Sequence, residues 1–374
     1  MTASMLRLTA IDKFYGVIDR GVHAVKDINM SVEKGEIIAL LGSSGCGKTS
    51  TLRMIAGFEA VSRGQIHLAG REVQTLPPVK RNVAMEFEGY SLYPTVSVRD
   101  NIAFALKAAR LPEAEVAARV DHVSQMLEIT DILHRFPFSI SGGQQQRVSL
   151  ARALVREADL HLLDEPMGQL EPQLRTLLRG RIKHYIKERG LTAILVTHDQ
   201  TEANALADRI AVMEGGSLQQ YASPAEIKER PANLFTGTFV GEPPMNVFPA
   251  KVSASGGQLR MDLGGGLDLT YAETDFAAPV RDLMLAKRDV MIGVRPYAVH
   301  RATSGAAARV MANQWLGDQS HIAASFAGKS IVLVEHDRAA VVEGQDIFVA
   351  IRPVDLHVFD PASGQAISHG QELA

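Results

Sequence analysis

Residues 42–49 read Gly42-Ser43-Ser44-Gly45-Cys46-Gly47-Lys48-Thr49, which fits the pattern G-x-x-x-x-G-K-[ST] of a phosphate-binding loop. The loop follows Glu36-Ile37-Ile38-Ala39-Leu40-Leu41, an apolar run typical of a buried parallel strand. The residues after it, 49–56, have helical spacing. A strand, a glycine-rich loop and a helix in this order predict a site where backbone N–H groups face a phosphate.

The side chains of this loop have the chemistry that a bound nucleotide needs. Lys48 should reach the β- and γ-phosphates, Thr49 should ligate Mg²⁺, and the helix N-terminus adds positive potential. The predicted nucleotide contacts are Ser43, Ser44, Gly45, Cys46, Gly47, Lys48, Thr49 and Ser50. Because Cys46 lies beside the helix dipole, which lowers a thiol pKa, we expect alkylation of Cys46 to block ATP hydrolysis and bound ATP to protect it.

The composition excludes several classes of protein. A chain of 374 residues is long enough for two domains, and its net charge of −3 gives no basic field for nucleic acid. No apolar run approaches the roughly 18 residues of a membrane span, and the N-terminus has no signal-peptide core. The single cysteine excludes an internal disulfide. We therefore expect a cytoplasmic protein.

A second motif supplies two carboxylates. Leu160-His161-Leu162-Leu163-Asp164-Glu165-Pro166 reads as a strand that ends in two acids. Asp164 is the candidate for the Mg²⁺ shell, and Glu165 is the candidate to polarise the attacking water. Two acids at the end of a strand are common by chance, but the upstream phosphate loop favours the functional interpretation.

A third motif, Ser141-Gly142-Gly143-Gln144, opens a helix whose apolar face includes Val148 and Leu150. Free N–H groups, a hydroxyl and the helix dipole make this end a second anion site. The alternative is an ordinary N-cap at Ser141, which the motif alone would favour.

Two domains follow from the order of these patterns. Residues 1–240 alternate strands and helices, which predicts an α/β fold with a parallel sheet and a site at its carboxyl ends, and residues 91–157 read as a helical subdomain. Residues 241–374 read as short β runs. In that part Ile292-Gly293-Val294-Arg295-Pro296 recurs as Val349-Ala350-Ile351-Arg352-Pro353, which predicts an all-β tandem of small OB-like barrels. The alternative is a chance likeness between two short segments.

The order of the motifs, completed by Val196-Thr197-His198-Asp199, resembles the ATP-binding cassette (ABC) family of P-loop NTPases over about residues 5–240. The resemblance implies ATP and Mg²⁺ as ligands and a head-to-tail dimer in which the Ser141–Gln144 motif of one subunit caps the ATP of the other. It also implies that His198 contacts the γ-phosphate and orients the water. Tyr15 is the aromatic that would stack on adenine, although the loop after it is longer than usual in the family.

The importer branch of this family is indicated by two further segments. Tyr90-Ser91-Leu92-Tyr93-Pro94 resembles the region that receives the membrane subunits, so the resemblance implies two transmembrane permease subunits docked at residues 88–94. The C-terminal units resemble those of sugar-importer ATPases. Import of a carbohydrate, a polyol or glycerol-3-phosphate is expected, with polyamine, iron or anion as alternatives. A solute-binding protein outside the cytoplasm would take part indirectly, and the chain would lie on the cytoplasmic face of the cell membrane.

Two positions depart from the family pattern. Glu88 stands where the family carries glutamine, and an ionised carboxylate offers only acceptors. Glu88 either ligates Mg²⁺, mimics glutamine when protonated, weakens coupling or is simply tolerated. Glu171 stands where the family carries an aspartate that bridges the subunits. These two changes leave open whether the second ATPase subunit is an identical copy or a paired paralogue.

Two other classes of protein remain as alternatives. A soluble ABC ATPase of repair or translation usually carries coiled-coil insertions or tandem cassettes, and neither is visible in this sequence. A regulatory protein whose C-terminal barrels bind a transcription factor or a metabolite is compatible with transport.

Overall fold

The computed structural model describes residues 4–87, 89–326 and 328–370. Glu88, a predicted Mg²⁺ ligand, lies outside the described residues. The chain divides into two compact units, Met1–Pro224 and Ala225–Ala374. This division precedes the predicted boundary at residue 241, because the segment after Pro224 is tied to the C-terminal unit by hydrogen bonds from Arg295 to three of its carbonyl oxygens.

The first unit contains ten strands and six helices in its described residues. The strands are β1 (Ser4–Tyr15), β2 (Val22–Glu33), β3 (Ile37–Gly42), β4 (Arg63–Leu68), β5 (Arg71–Glu72), β6 (Val83–Glu86), β7 (Leu160–Asp164), β8 (Ala193–Thr197), β9 (Arg209–Glu214) and β10 (Ser217–Ala222). The helices are α1 (Lys48–Ala56), α2 (Val98–Ala108), α3 (Glu113–Met126), α4 (Gly142–Leu154), α5 (Pro172–Glu188) and α6 (Gln200–Leu206).

The predicted parallel sheet is present and has the order β10-β9-β3-β8-β7-β6. All its neighbours are parallel except β10, which pairs antiparallel with β9. Strands β3, β7 and β8 are buried along their whole length, which explains their continuous apolar sequence. Their carboxyl ends therefore bring the residues after Gly42, Asp164 and Thr197 to one edge of the sheet.

A second sheet of the first unit is antiparallel, with the order β2-β1-β4-β5. Its inward side chains share one apolar cluster with α1 and with the parallel sheet, including Leu6, Val25, Leu52 and Ile194. The phosphate loop and its helix are thus held between two sheets. Within the stretch predicted to be helical, α2 begins at a Ser97 cap whose side chain accepts from the Asp100 N–H.

The second unit is built mainly of strands, with three helices in its described residues. The helices are α7 (Pro224–Glu229), α8 (Leu234–Phe239) and α9 (Ala278–Lys287). The strands are β11 (Asn246–Ser255), β12 (Gln258–Asp262), β13 (Asp268–Ala272), β14 (Asp289–Val294), β15 (Val299–Ala302), β16 (Ala306–Trp315), β17 (Ser320–Phe326), β18 (Lys329–Glu335), β19 (Asp346–Ile351), β20 (Leu356–Phe359) and β21 (Ala366–His369).

These strands form two antiparallel sheets around one apolar core. The orders are β13-β12-β11-β14-β20-β21 and β15-β19-β16-β17-β18. The core joins residues of both sheets, such as Phe248, Ile292, Phe326 and Val358. The predicted all-β character is confirmed, although α9 was not predicted from the sequence.

The sequence repeat corresponds to two copies of one local structure. β14 and β19 each lead through an Arg-Pro pair into a 3-10 turn and then into another short strand. The two arginines differ in their surroundings: Arg295 is only 2% exposed, whereas Arg352 is exposed and ion-paired with Asp355. The copies therefore share a backbone path but not a side-chain role.

Candidate nucleotide-binding and hydrolysis site

The phosphate loop is shaped by close backbone contacts. Gly45 and Gly47 have φ angles of 78° and 100°, in the left-handed region that favours glycine. A Cβ atom on Gly47 would lie 2.6 Å from the carbonyl oxygen of Ala24. The loop therefore has no room for a side chain at this position, and α1 begins directly after it at Lys48.

The Lys48 ammonium lies folded back over the loop. Its Nζ donates to the carbonyl oxygens of Gly42 at 2.9 Å and of Ser43 at 2.8 Å, and the side chain is buried. Both partners are neutral carbonyls. An incoming phosphate would offer this ammonium stronger, charge-assisted acceptors at the loop.

Cys46 differs from the expectation of a reactive thiol. It is 2% exposed, and burial raises the pKa of its thiol, although the nearby Lys48 ammonium acts in the opposite direction. The predicted lowering of the thiol pKa is therefore wrong, because desolvation outweighs the helix dipole and the lysine charge.

We expect Cys46 in the native chain to react with a maleimide at least about tenfold more slowly than the same thiol in urea-unfolded chain, because burial disfavours the reactive thiolate. Mass spectrometry of timed samples measures both rates, and the unfolded chain serves as the control. Equal rates in the two states would contradict the buried position.

Three of the predicted nucleotide-contacting residues, in or beside the loop, form hydrogen bonds of their own. The Ser43 hydroxyl donates to Glu214 Oε2 at 2.6 Å. The Tyr15 hydroxyl donates to Glu59 Oε2 at 2.6 Å and lies 2.8 Å from Ser50 Oγ, while 43% of the tyrosine is exposed. Tyr15 is thus fixed beside α1 with an exposed ring, which is the arrangement that a base-stacking aromatic requires.

Thr49 and Asp164 are brought together by the fold. The Thr49 hydroxyl lies 3.5 Å from Asp164 Oδ1, at the carboxyl end of β7, and Asp164 is 3% exposed. Within residues 4–87, 89–326 and 328–370 there is no cluster of three or more His, Cys, Asp or Glu residues suited to a metal ion. A cation here would depend on one hydroxyl, one carboxylate and oxygens from a bound phosphate or water, which is a usual pattern for Mg²⁺.

Glu165 and His198 form a second pair. The His198 Nδ1 lies 2.9 Å from Glu165 Oε1, and the Glu165 N–H donates to the Val196 carbonyl oxygen at 2.9 Å. Glu165 has a positive φ of 54°, a conformation that is uncommon outside glycine. Since 67% of the histidine side chain and 29% of the glutamate side chain are exposed, this pair can reach a water molecule.

The Ser141 motif forms the N-cap that the sequence left open, and its role as an anion site stays a prediction. Ser141 is the N-cap of α4: its hydroxyl accepts from the Gln144 N–H, and its own N–H donates to Gln144 Oε1 at 2.9 Å. Ser141 and Gly142 are also exposed. The cap holds the helix end, and the exposed face remains available to a ligand.

Gln146 links this helix to the acidic motif, and sequence analysis missed it. Its Nε2 donates to the Glu165 carbonyl oxygen at 2.7 Å, and its Oε1 accepts from the Gln169 N–H at 2.9 Å. The side chain is 2% exposed. The signal was available, because Gln146 lies one helical turn before Leu150 on the face predicted to be apolar.

Glu86 is a second residue that sequence analysis did not assign. It is fully buried at the end of β6, where its Oε2 accepts from the Asp164 N–H at 3.2 Å and its Oε1 has no partner. Burial, followed by the charge of Asp164, raises its pKa to about 8. An acid inside an otherwise apolar strand was the available signal. Glu86 is therefore neutral at pH 7, next to Asp164, the predicted cation ligand.

Comparison with known proteins assigns the family. A model described as ABC transporter matches residues 25–168, and a TOBE domain model matches residues 292–359. The chain is 39% identical to the trehalose import ATP-binding protein SugC of Mycobacterium tuberculosis, over 93% of this chain and 90% of that protein.

The chain belongs to the ATP-binding subunits of ABC transporters. This ABC subunit is also 38% identical to the trehalose/maltose import ATP-binding protein MalK of Thermococcus litoralis, over 97% of this chain and 99% of that protein. It is 39% identical to the sn-glycerol-3-phosphate import ATP-binding protein UgpC of Cereibacter sphaeroides, over 93% and 96%. This membership confirms the predicted ATPase activity coupled to import.

Part of this chain has the same fold as a solved structure. The dimeric structure of MJ0796, a bacterial ABC transporter cassette, matches with a TM-score of 0.55 and 25% identity, covering 59% of this chain and 99% of that one. No helix among the described residues combines the length and apolar character needed to cross a membrane.

Proposed function

We propose that this ABC subunit binds Mg²⁺-ATP between two ATPase subunits and uses its hydrolysis to power uptake of a carbohydrate, a polyol or glycerol-3-phosphate. The relatives SugC, MalK and UgpC carry trehalose, maltose and glycerol-3-phosphate in their names, and they align with more than nine-tenths of this chain. The observation that best supports ATP hydrolysis is the contact between Glu165 and His198, beside the Thr49–Asp164 pair.

The predicted roles follow from these contacts. Lys48 exchanges two carbonyl acceptors for phosphate oxygens, which strengthens its hydrogen bonds. Thr49 and Asp164 would hold Mg²⁺, which neutralises the charge that develops on the phosphates. Glu165 accepts a proton from the attacking water, and the bond to His198 holds its carboxylate in position.

The second half of the site comes from a facing subunit. Ser141 and Gly142 are exposed at the N-terminus of α4, where free N–H groups and the helix dipole favour an anion. Gln146 joins this helix end to Glu165, so closure of the dimer and the position of the acid are coupled. Glu171 is exposed and available to the same interface. The partner is an identical copy or a paired paralogue.

A groove of about 960 Å³ supports docking of the permease subunits. It is lined by Phe87, Ser91, Tyr93, Phe104 and Arg152, among others, next to the predicted docking segment 88–94. Phe104 is 52% exposed and its ring lies 4.8 Å from that of Tyr93. A groove lined by exposed aromatic side chains and by arginine suits an amphipathic helix of a membrane subunit at the cytoplasmic face of the membrane.

We expect Phe104→Asp to lower transport at least about tenfold, because an exposed aromatic side chain that lines a docking groove contributes strongly to binding. ATP hydrolysis by the isolated subunit should not change. The measurement is solute uptake by vesicles that contain the full complex. Phe138→Asp is the control, since Phe138 is 81% exposed and does not line the groove. Equal transport by both variants would contradict the docking site.

The solute class is tested with the same vesicles. The subunit is purified with its permease partners and solute-binding protein, and ATP-dependent uptake is compared for trehalose, maltose, glycerol, glycerol-3-phosphate, spermidine and ferric ion. We expect uptake of a sugar, polyol or glycerol-3-phosphate only. Uptake confined to spermidine or ferric ion would overturn the proposed solute class and leave the ATPase assignment intact.

A further inference from the structure

A cavity of about 320 Å³ lies within the C-terminal unit and takes no part in the nucleotide site. Its walls include Lys228 and Arg230 at the end of α7, Arg295 at the turn after β14, and His357 and His369 on the paired strands β20 and β21. This volume is at the lower end of the roughly 300–1,000 Å³ that is usual for small-molecule sites.

Arg295 provides a buried positive charge without a counter-ion. It is 2% exposed, and its guanidinium donates to the carbonyl oxygens of Gly237, Val240 and Lys228. Its Nε–H has no hydrogen-bond partner, and no carboxylate among the described residues forms an ion pair with it. A buried charge normally requires an opposite charge, so this arrangement calls for an anion.

Two neutral histidines lie in the wall of the same cavity. His357 Nδ1 lies 3.1 Å from His369 Nδ1, so one ring donates and the other accepts. Burial first, and then the charge of Arg295, lowers the pKa of His357 to about 3; burial and the charges of Arg230 and Arg295 lower that of His369 to about 4. Both rings are neutral at pH 7, so the ring that donates through Nδ1 has an accepting Nε2 and the other ring has an Nε2–H that can donate to an anion.

The acids near the cavity do not cancel its cations. Asp355 is held by two hydrogen bonds from Arg352, at 2.6 and 2.9 Å, so its charge is already balanced. Glu229 is the other acid in the wall. Against it stand Lys228 and Arg295, and the Lys228 ammonium lies 4.8 Å above the ring of Tyr297.

We propose that this cavity binds a small organic oxyanion, a phosphomonoester or a dicarboxylate, as a regulatory ligand of the C-terminal unit. The charged end lies between Lys228 and the histidine pair, over the buried charge of Arg295. The organic part lies against Tyr297 and Val354. The cavity is larger than a free phosphate needs, which favours a ligand with a carbon body.

Calorimetry on the full-length chain tests this site. Saturating Mg²⁺-ADP first occupies the phosphate loop, and glycerol-3-phosphate, glucose-6-phosphate, succinate and inorganic phosphate are then titrated at constant ionic strength. We expect one saturable site per chain for at least one organic probe. Lys228→Gln and His369→Gln should each weaken it about tenfold, as loss of one strong polar contact predicts.

Lys251→Gln is the matched control, because Lys251 is exposed on β11 and does not line the cavity. It should bind like the parent chain. The proposal is overturned if no organic probe saturates, if inorganic phosphate binds as tightly as the organic probes, or if the two cavity variants bind like the control. Binding is measured without hydrolysis, so these failures leave the proposed ATPase and transport functions untouched.

Discussion

Glu165→Gln is expected to lower the rate of ATP hydrolysis by about 10²- to 10³-fold, because the amide cannot accept the proton of the attacking water. The hydrogen bond to His198, 2.9 Å long in the parent chain, can be kept by the amide oxygen, so the local geometry should persist. Affinity for ATP should stay within about threefold, since the phosphate-loop contacts of Lys48 and Thr49 are unchanged. Phosphate release and fluorescent-nucleotide binding measure the two quantities separately.

The control for this variant is Glu188→Gln. It makes the same chemical change on α5 at an exposed glutamate that contacts only His184 in the described ion pairs, at 3.8 Å. Its hydrolysis rate should equal that of the parent chain. A Glu165→Gln rate within threefold of the parent would remove Glu165 from the role of general base. A parallel loss of ATP binding would show instead that the residue holds the nucleotide.

Glu86→Val is expected to change the free energy of unfolding of the metal-free, nucleotide-free chain in the stabilising direction as pH rises. This change comes on top of a pH-independent loss, because valine leaves the Asp164 N–H without its Glu86 acceptor. The parent carboxyl has a pKa of about 8 in the folded state and a reference value of 4.5. The folded state therefore holds this proton more tightly than the unfolded state, and the stability of the parent falls as pH rises from 4.5 towards 8. The valine variant lacks this pH-dependent fall. Its free energy of unfolding relative to the parent should rise by up to about 1.4 kcal/mol per pH unit between pH 5.5 and 8 and then level off.

Urea unfolding in the presence of a chelator, at pH 5.5, 7, 8 and 9, measures this gain in the free energy of unfolding. Glu86→Gln separates the loss of the ionisable group from the loss of the buried polar group. The amide cannot ionise, but it keeps a buried polar group whose second atom has no partner. It should remove the contribution of residue 86 to the pH dependence, as valine does, and keep an acceptor for the Asp164 N–H. The exposed Glu188→Gln should leave the pH dependence unchanged. A gain for Glu86→Val that does not change between pH 5.5 and 8 would contradict a raised pKa at this position.

The parts of the site that are coded by adjacent residues could be predicted from the sequence. The loop at 42–49 lies between a buried strand and a helix, as expected, because glycine spacing and the strand before it specify this backbone locally. Asp164 and Glu165 follow the end of β7, and parallel pairing with β8 brings His198 beside them. A site formed by short motifs on neighbouring strands can therefore be predicted without a structure.

Other parts depend on contacts between distant segments. Gln146 and Glu86 act through hydrogen bonds to Glu165 and Asp164. The residues next to them in the sequence do not indicate these partners. Cys46 was expected to be reactive from its place in the loop, but the degree of burial decides its pKa, and burial is set by the surrounding sheets. The sequence repeat predicted two similar β units, yet only the structure distinguishes buried Arg295 from exposed Arg352.

The central claim is that the phosphate loop of one subunit and the Ser141 motif of another form one ATP site. Cross-linking of a mixture of two chains, one with Ser44→Cys and the other with Ser141→Cys, both also carrying Glu165→Gln, tests it most directly. Both serines are exposed, and the native Cys46 is buried. With a short bifunctional maleimide we expect a product of twice the chain mass that contains both variants and forms only with Mg²⁺-ATP. Absence of that mixed product, or its formation to the same extent without ATP, would contradict the shared site.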